Sequence, residues 1–185
     1  GRHAFKEKLL ELGYHFDADQ INVLFKKFKD LADRKKTIVD EDILALVEEK
    51  VSTQETYYDL NGIQLSYGNQ MVPTAVVHLT GKSGRLEETA TGNGSVDAIF
   101  KAIDKAVAEV VELVDYRIVS VTHGKDALGE VHLKLQQNDL IVLGRGVSTD
   151  ILEASAKAYV DALNRLLNRK HTGRGGRQDL SISFG

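Results

Sequence analysis

The side chains that could carry out catalysis are scattered along this sequence rather than grouped at the spacing of a known motif. Six histidines are present, and none of them forms an H-x-H or H-E-x-x-H pair. The absence of cysteine excludes thiolate nucleophiles and cysteine-bound metal clusters. His78 and His132 fall in two alternating segments, where histidine is typical of half-exposed sheet residues. We therefore predict that this chain is not an enzyme by itself and holds neither a cofactor nor a metal ion.

Two glycine-rich breaks are the segments best suited to binding a ligand, because a helical pattern follows each of them. They are Gly92-Asn93-Gly94 and Gly144-Arg145-Gly146. The first turn of a helix leaves backbone N–H groups unpaired, and glycines allow a carboxylate or phosphate to approach them closely. Each break alone is better explained as a plain strand-to-helix turn, whereas their repetition makes a paired ligand site a stronger candidate.

Small apolar residues follow both breaks and would suit the side chain of an amphiphilic ligand such as a branched amino acid. Spacing alone does not separate this interpretation from an ordinary core. The residues concerned are Val96, Ala98, Ile99, Val147, Ile151 and Ala154.

The elements that carry these breaks form an internal repeat. Alternating segments predict strands around 63–67, 75–79 and 86–91, followed by a helix after Gly94. A second set of strands at 116–122, 129–136 and 139–143 precedes a helix at about 150–167, and the spacing of the two breaks is 52 residues (144 − 92). We predict two βββα units related by a pseudo-twofold axis, with antiparallel sheets whose open faces or edges a second copy of the chain covers.

The first 50 residues predict three helices and no strand. A helix is expected to stop at Gly13, the next to begin behind an Asp17/Gln20 capping box, and a third to begin near Asp40. The predicted fold class is therefore α+β. The predicted boundaries are a small helical subdomain at 1–52, a βββα domain at 53–169 with units of about 57–113 and 114–169, and a flexible tail at 170–185.

Composition excludes several classes of function. The chain has 185 residues with a net charge of −3, and its basic residues cluster only in the tail at 169–177, which argues against a nucleic-acid partner. No apolar run reaches the ~20 residues that span a bilayer, so we expect no membrane association. The lack of cysteine is compatible with a cytoplasmic location.

Several separated motifs resemble the 2-isopropylmalate synthase family over roughly residues 1–169. The opening segment 1–14 is similar to the region that follows the family's catalytic barrel. Segments 92–98, 126–131 and 144–159 are similar to its C-terminal allosteric domain. Ser95 departs from the family, which often has proline after Gly-Asn-Gly. The tail from His171 onward matches nothing in the family.

The resemblance implies a regulatory fragment that contains linker subdomains and lacks the barrel. Family members condense acetyl-CoA with a 2-oxo acid in a barrel that uses a divalent metal. The implied partners are a second copy of the chain as a homodimer, the barrel of the parent chain, and leucine as effector. Citramalate synthase shares the architecture, so isoleucine is the alternative effector, and a module for dimerisation only is a third possibility.

The resemblance also implies which residues bind the effector. Glycine-loop residues would hold its polar end, and residues of the second unit would close the apolar end. The positions carried over are Gly92, Asn93, Gly94, Val96, Asp97, Leu113, Tyr116, Ser120, Ala127, Gly129, Val147 and Ile151.

Overall fold

The computed structural model describes residues 1–50, 55–120 and 127–172, with only the backbone described for residues 49, 50, 120 and 172. Three helices come first and two βββα units follow, as predicted. The helices are α1 (Arg2–Glu11), α2 (Ala18–Arg34) and α3 (Asp40–Lys50). The first unit contains β1 (Asp59–Ser66), β2 (Thr74–Gly81), β3 (Gly84–Thr91) and α4 (Ser95–Val107). The second contains β4 (Glu112–Ser120), β5 (Gly129–Gln137), β6 (Leu140–Ser148) and α5 (Ile151–Thr172).

The two units form separate antiparallel sheets with the strand orders β1-β2-β3 and β4-β5-β6. Each first strand carries an irregularity at the same place, between Leu60 and Gly62 in β1 and between Leu113 and Asp115 in β4. The neighbouring partners correspond as well, since Leu60 faces Leu79 and Leu113 faces Leu135. The shared irregularity confirms the predicted repeat. The predicted start of this strand at Tyr116 was wrong, because β4 begins at Glu112. The bulge interrupts the alternation of apolar and polar residues by which a strand is predicted.

The second glycine break is not a loop, which corrects the sequence-based prediction. Strand β6 continues through Gly144 and Gly146 and ends at Ser148. A Cβ added at Gly144 would lie 2.1 Å from the Ala158 carbonyl oxygen, and a Cβ added at Gly146 would lie 2.1 Å from the Ala154 carbonyl oxygen. These glycines therefore allow the backbone of α5 to approach β6 closely.

The equivalence of positions between the two units changes accordingly. Ser148 lies three residues before the start of α5, as Gly92 lies three residues before the start of α4. Ser148, and not Gly144, is thus the counterpart of Gly92. In the same way His78, which faces Gly62, corresponds to Lys134, which faces Asp115. The two histidines are therefore not equivalent.

The main core combines the inner faces of both sheets with α4 and α5. The central strands contribute alternating, fully buried side chains, as expected for strands with one covered face. Helix α5 contributes small residues that permit its close approach to β6. Deeply buried members of this core include Ala75, Val77, Leu79, Ile99, Ile103, Val131, Leu133, Leu135, Ala154, Ala158, Leu163 and Leu166.

Local signals near the amino terminus are confirmed. Gly13 adopts a positive φ of +87° after α1. The Asp17 carboxylate accepts a hydrogen bond from the Gln20 N–H at 2.8 Å, and the Gln20 side chain accepts one from the Asp17 N–H at 2.9 Å. The three helices share a second core with Leu143 of β6, so the helical segment packs on the second sheet.

Charged pairs join α3 to the outer face of that sheet. Asp40 pairs with Lys134 of β5, and Glu41 contacts His132 at 3.1 Å. Glu41 also accepts a hydrogen bond from Arg117 of β4 at 2.5 Å. Burial alone would raise the pKa of Asp40, but hydrogen bonds and charge from Lys134 and Lys8 outweigh it and lower that pKa below its ordinary value.

We expect acid to weaken this attachment. A carboxyl group whose folded pKa is lowered stabilises the fold above its unfolded pKa of about 3.9 and loses that contribution as pH falls through the folded value. The free energy of unfolding measured with urea should therefore decline below about pH 4, and this decline should be smaller in Asp40→Asn than in wild type. The matched control is Asp30→Asn on the exposed face of α2. An equal acid response in wild type and Asp40→Asn would contradict the assignment.

Candidate functional site

The first glycine break is a true connection between β3 and α4. The Gly92 N–H donates to the Pro73 carbonyl at 3.0 Å. An added Cβ at Gly92 would lie 2.4 Å from the Ala98 nitrogen, so no side chain fits there. Gly94 is the N-cap of α4 in an extended conformation, and an added Cβ there would meet no atom within 4 Å. The outer side of the loop is therefore open to a ligand.

At each helix start, a backbone N–H group already donates a hydrogen bond to a carboxylate of the chain itself. The prediction of unpaired amides did not take these carboxylates into account. The Asn93 N–H donates to Asp97 Oδ2 at 2.8 Å. This backbone hydrogen bond, with help from Lys101, lowers the pKa of Asp97. At α5, the Leu152 N–H donates to Asp150 Oδ1 at 2.9 Å. A ligand at the start of α4 would thus bind beside Asp97.

The second turn of α4 contacts the inner surface of β4 through Phe100. Phe100 lies one turn after Val96 on the same side of the helix. Its ring contacts Tyr116 of β4 edge-on, with 6.1 Å between ring centroids. Leu113 lies on the same inner surface of β4, because its partner Leu135 is fully buried. Leu113 and Tyr116 thus share the inner surface of β4, and Val96 lies one helical turn before the residue that contacts Tyr116.

Tyr116 also connects this region to the start of α5. Its hydroxyl lies 2.5 Å from the Ser155 hydroxyl. Ser155 is fully buried and donates to the Ile151 carbonyl at 2.8 Å. Tyr116 is therefore one of the residues that join the two βββα units, through Phe100, and it also contacts the start of α5.

Gly129 and Ile151, two of the remaining predicted residues, meet at the start of α5. Gly129 pairs with Ser120 on one side and Ser148 on the other. An added Cβ at Gly129 would lie 2.3 Å from Cδ1 of Ile151, so the Ile151 side chain occupies that space. Val147 is half-buried in β6, and Ala127 is exposed before β5. The side chain of Ser120 lies outside the described residues.

The predicted residues thus form two groups. One comprises the Gly92–Gly94 loop, Val96 and Asp97 with the inner surface of β4, and the other surrounds Ile151. In the part of the chain that the structure describes, no hydrogen bond, ion pair or ring contact joins the loop directly to Gly129, Val147 or Ile151.

Sequence reasoning missed an aromatic and acidic cluster that supports Tyr116. Phe100 stacks on Tyr159 with 4.3 Å between centroids. The Tyr159 hydroxyl donates to Asp104 Oδ1 at 2.6 Å. Burial raises the pKa of Asp104, although this hydrogen bond opposes the change. The spacing of Val96, Phe100 and Asp104 along one helix side was the available signal.

The described residues include no group of three or more histidine, cysteine, aspartate or glutamate side chains placed to hold a metal ion. Among the helices that the structure describes, none combines the length and the apolar composition that crossing a membrane requires. We predicted a flexible tail from residue 170, but α5 continues to Thr172; the rest of that segment lies outside the described residues.

A family model of an allosteric and dimerisation domain matches the duplicated βββα unit together with α3. The model of the LeuA allosteric (dimerisation) domain matches residues 37–167. The chain belongs to this family, as the motifs had indicated.

Several relatives of the chain carry the same name. A 2-isopropylmalate synthase of Brevibacillus brevis is 59% identical over 171 residues, which cover 92% of this chain and 33% of that protein. The enzymes of the same name from Carboxydothermus hydrogenoformans and Ruminiclostridium cellulolyticum are 51% and 47% identical, and cover 90% and 91% of this chain. The chain spans about a third of the length of the curated relatives it matches.

Proposed function

We propose that this chain is the leucine-binding regulatory and dimerisation part of a 2-isopropylmalate synthase. The observation that carries the proposal is the 59% identity to an enzyme of that name across 92% of the chain. The relatives reported above are 2-isopropylmalate synthases, which favours leucine over isoleucine as the effector.

The proposed binding region lies between the start of α4 and the inner surface of β4. A free amino acid has a carboxylate, an ammonium group and, for leucine, a branched apolar side chain. The open side of Gly94 at the positive end of the α4 dipole suits the carboxylate. The Asp97 carboxylate beside it suits the ammonium group. Val96, Leu113 and Tyr116 supply the apolar surface, and Leu113 retains 41% exposure for such a contact.

The residues around Ile151 form the second part of the proposed site. Tyr116 belongs to both groups, because its ring contacts Phe100 and its hydroxyl bonds Ser155. A ligand that displaces Tyr116 would therefore change the contacts of both helices. Such a difference between bound and free forms is what coupling between an effector site and a distant site requires.

In this proposal the chemistry takes place outside this chain. The parent protein would condense acetyl-CoA with 2-oxoisovalerate in a barrel that uses a divalent metal. This chain would bind the effector, hold two subunits together and contact the barrel through α1–α3. We propose no catalytic residue within it.

Isothermal titration calorimetry of the chain with leucine, isoleucine and valine tests the proposal. We expect saturable heat with leucine at millimolar concentration or below, and weaker binding of the other two. Preferential binding of isoleucine would instead support the alternative of a citramalate synthase, whose effector is isoleucine. No saturable heat with any of the three would overturn the sensor function and leave dimerisation as the function.

A further inference from the structure

The edge strand β4 carries an unusual number of exposed apolar side chains. Leu113, Val114 and Val119 each retain 41% exposure, and Ile118 retains 55%. Val119 points to the outer face beside Glu130, whereas Ile118 lies opposite buried Val131 on the inner face. Apolar groups are thus exposed on both faces of this strand.

The other edge strands differ. Among the described strand residues, every large hydrophobic side chain that counts as exposed belongs to β4. The corresponding strand β1 alternates between half-buried apolar residues and exposed polar residues such as Gln64. Isolated edge strands are normally protected by polar or charged side chains. An edge that is apolar on both faces is instead suited to pairing with another strand.

The charges near the middle of β4 are complementary to those of a second copy. Asp115 and Arg117 flank Tyr116 and form an ion pair of 3.1 Å within the chain. In an antiparallel pairing about a two-fold axis at Tyr116, each Asp115 would lie opposite Arg117 of the other copy. Opposite charges at directly paired positions stabilise neighbouring strands. A register shifted to an axis at Arg117 would place the two guanidinium groups opposite each other.

We propose that β4 pairs with β4 of a second copy across this two-fold axis, which joins two three-stranded sheets into one six-stranded sheet. The proposal rests on the dimerisation part of the proposed function and adds the surface that performs it. A second copy is the occupant because the chain belongs to a dimerisation family and because the strand is self-complementary in charge. The paired strands would cover Val114, Ile118 and Val119 and satisfy the backbone groups along the edge of β4 that has no strand partner among the described residues.

Sedimentation equilibrium of wild type, Ile118→Glu, Val119→Lys and Gln64→Glu tests this surface. We expect Ile118→Glu to raise the dimer dissociation constant by at least about 100-fold, because the new carboxylates become buried without partners. Val119→Lys should also weaken the dimer. Its monomer should still fold, because the new ammonium group would lie opposite Glu130. Gln64→Glu, on the equivalent edge strand β1, should leave the dimer unchanged.

The possible results separate the surface from the function. A wild-type dimer that both β4 substitutions dissociate, with Gln64→Glu still dimeric, supports the pairing. A dimer that survives both β4 substitutions overturns the pairing and leaves dimerisation intact. A monomeric wild type overturns both. Far-UV circular dichroism confirms that each variant is folded, and Val119→Lys decides the matter if Ile118→Glu does not fold.

Discussion

Gly94→Asp is expected to fold normally and to lose the binding of leucine. An aspartate is a favourable N-cap residue, and Gly94 has the extended conformation that this position requires. The new carboxylate would take the α4 N–H groups that the ligand needs and would repel the ligand carboxylate. Like charges about 4 Å apart repel by ~4 kcal/mol at an effective dielectric constant of 20, so affinity should fall by at least about 100-fold. Calorimetry with leucine measures the change.

Gly94→Ala is the matched control for this experiment. An added Cβ meets no atom within 4 Å, and alanine introduces neither a charge nor a hydrogen-bond acceptor. Alanine should therefore retain the affinity for leucine within a few-fold. If Gly94→Asp binds leucine as tightly as Gly94→Ala, the start of α4 is not the carboxylate site.

Gly144→Ala is expected to cause a large loss of stability. The new Cβ would lie 2.1 Å from the Ala158 carbonyl oxygen and 2.8 Å from the Ala162 Cβ. The obstructing oxygen belongs to the backbone of α5, so it moves only if the whole helix moves away from β6. Overpacking of a core typically costs about 1–3 kcal/mol, and we expect the upper end of that range or more. Urea unfolding with circular dichroism measures the free energy of unfolding.

The comparison with Gly94→Ala isolates the effect of packing from that of replacing a glycine. Both substitutions add one methyl group, and only the one at Gly144 meets a helix backbone. A free energy of unfolding within about 0.5 kcal/mol of wild type for Gly144→Ala would contradict the close approach of α5 to β6.

The elements that sequence predicts well are those specified by neighbouring residues. The capping box at Asp17 and Gln20, the stop at Gly13 and the start of α3 each depend on a few adjacent side chains. The repeat was visible because alternation and helical spacing recur in both halves. These signals are local, and the tertiary structure did not override them.

The errors arose where the same local pattern has two tertiary explanations. A G-x-G segment serves equally as a loop and as the part of a strand against which a helix packs closely. Only the position of α5 decides for Gly144 and Gly146. The contact of Phe100 with Tyr116 joins residues of two different units, so no local spacing predicts it.

Leucine is expected to bind between the start of α4 and the inner surface of β4. Nuclear Overhauser contacts between methyl-labelled leucine and the protein test this location. With leucine at saturation, we predict contacts from its methyl groups to the Val96 methyls and the Tyr116 ring. Contacts confined to α1–α3, or none to either residue, would contradict the claim.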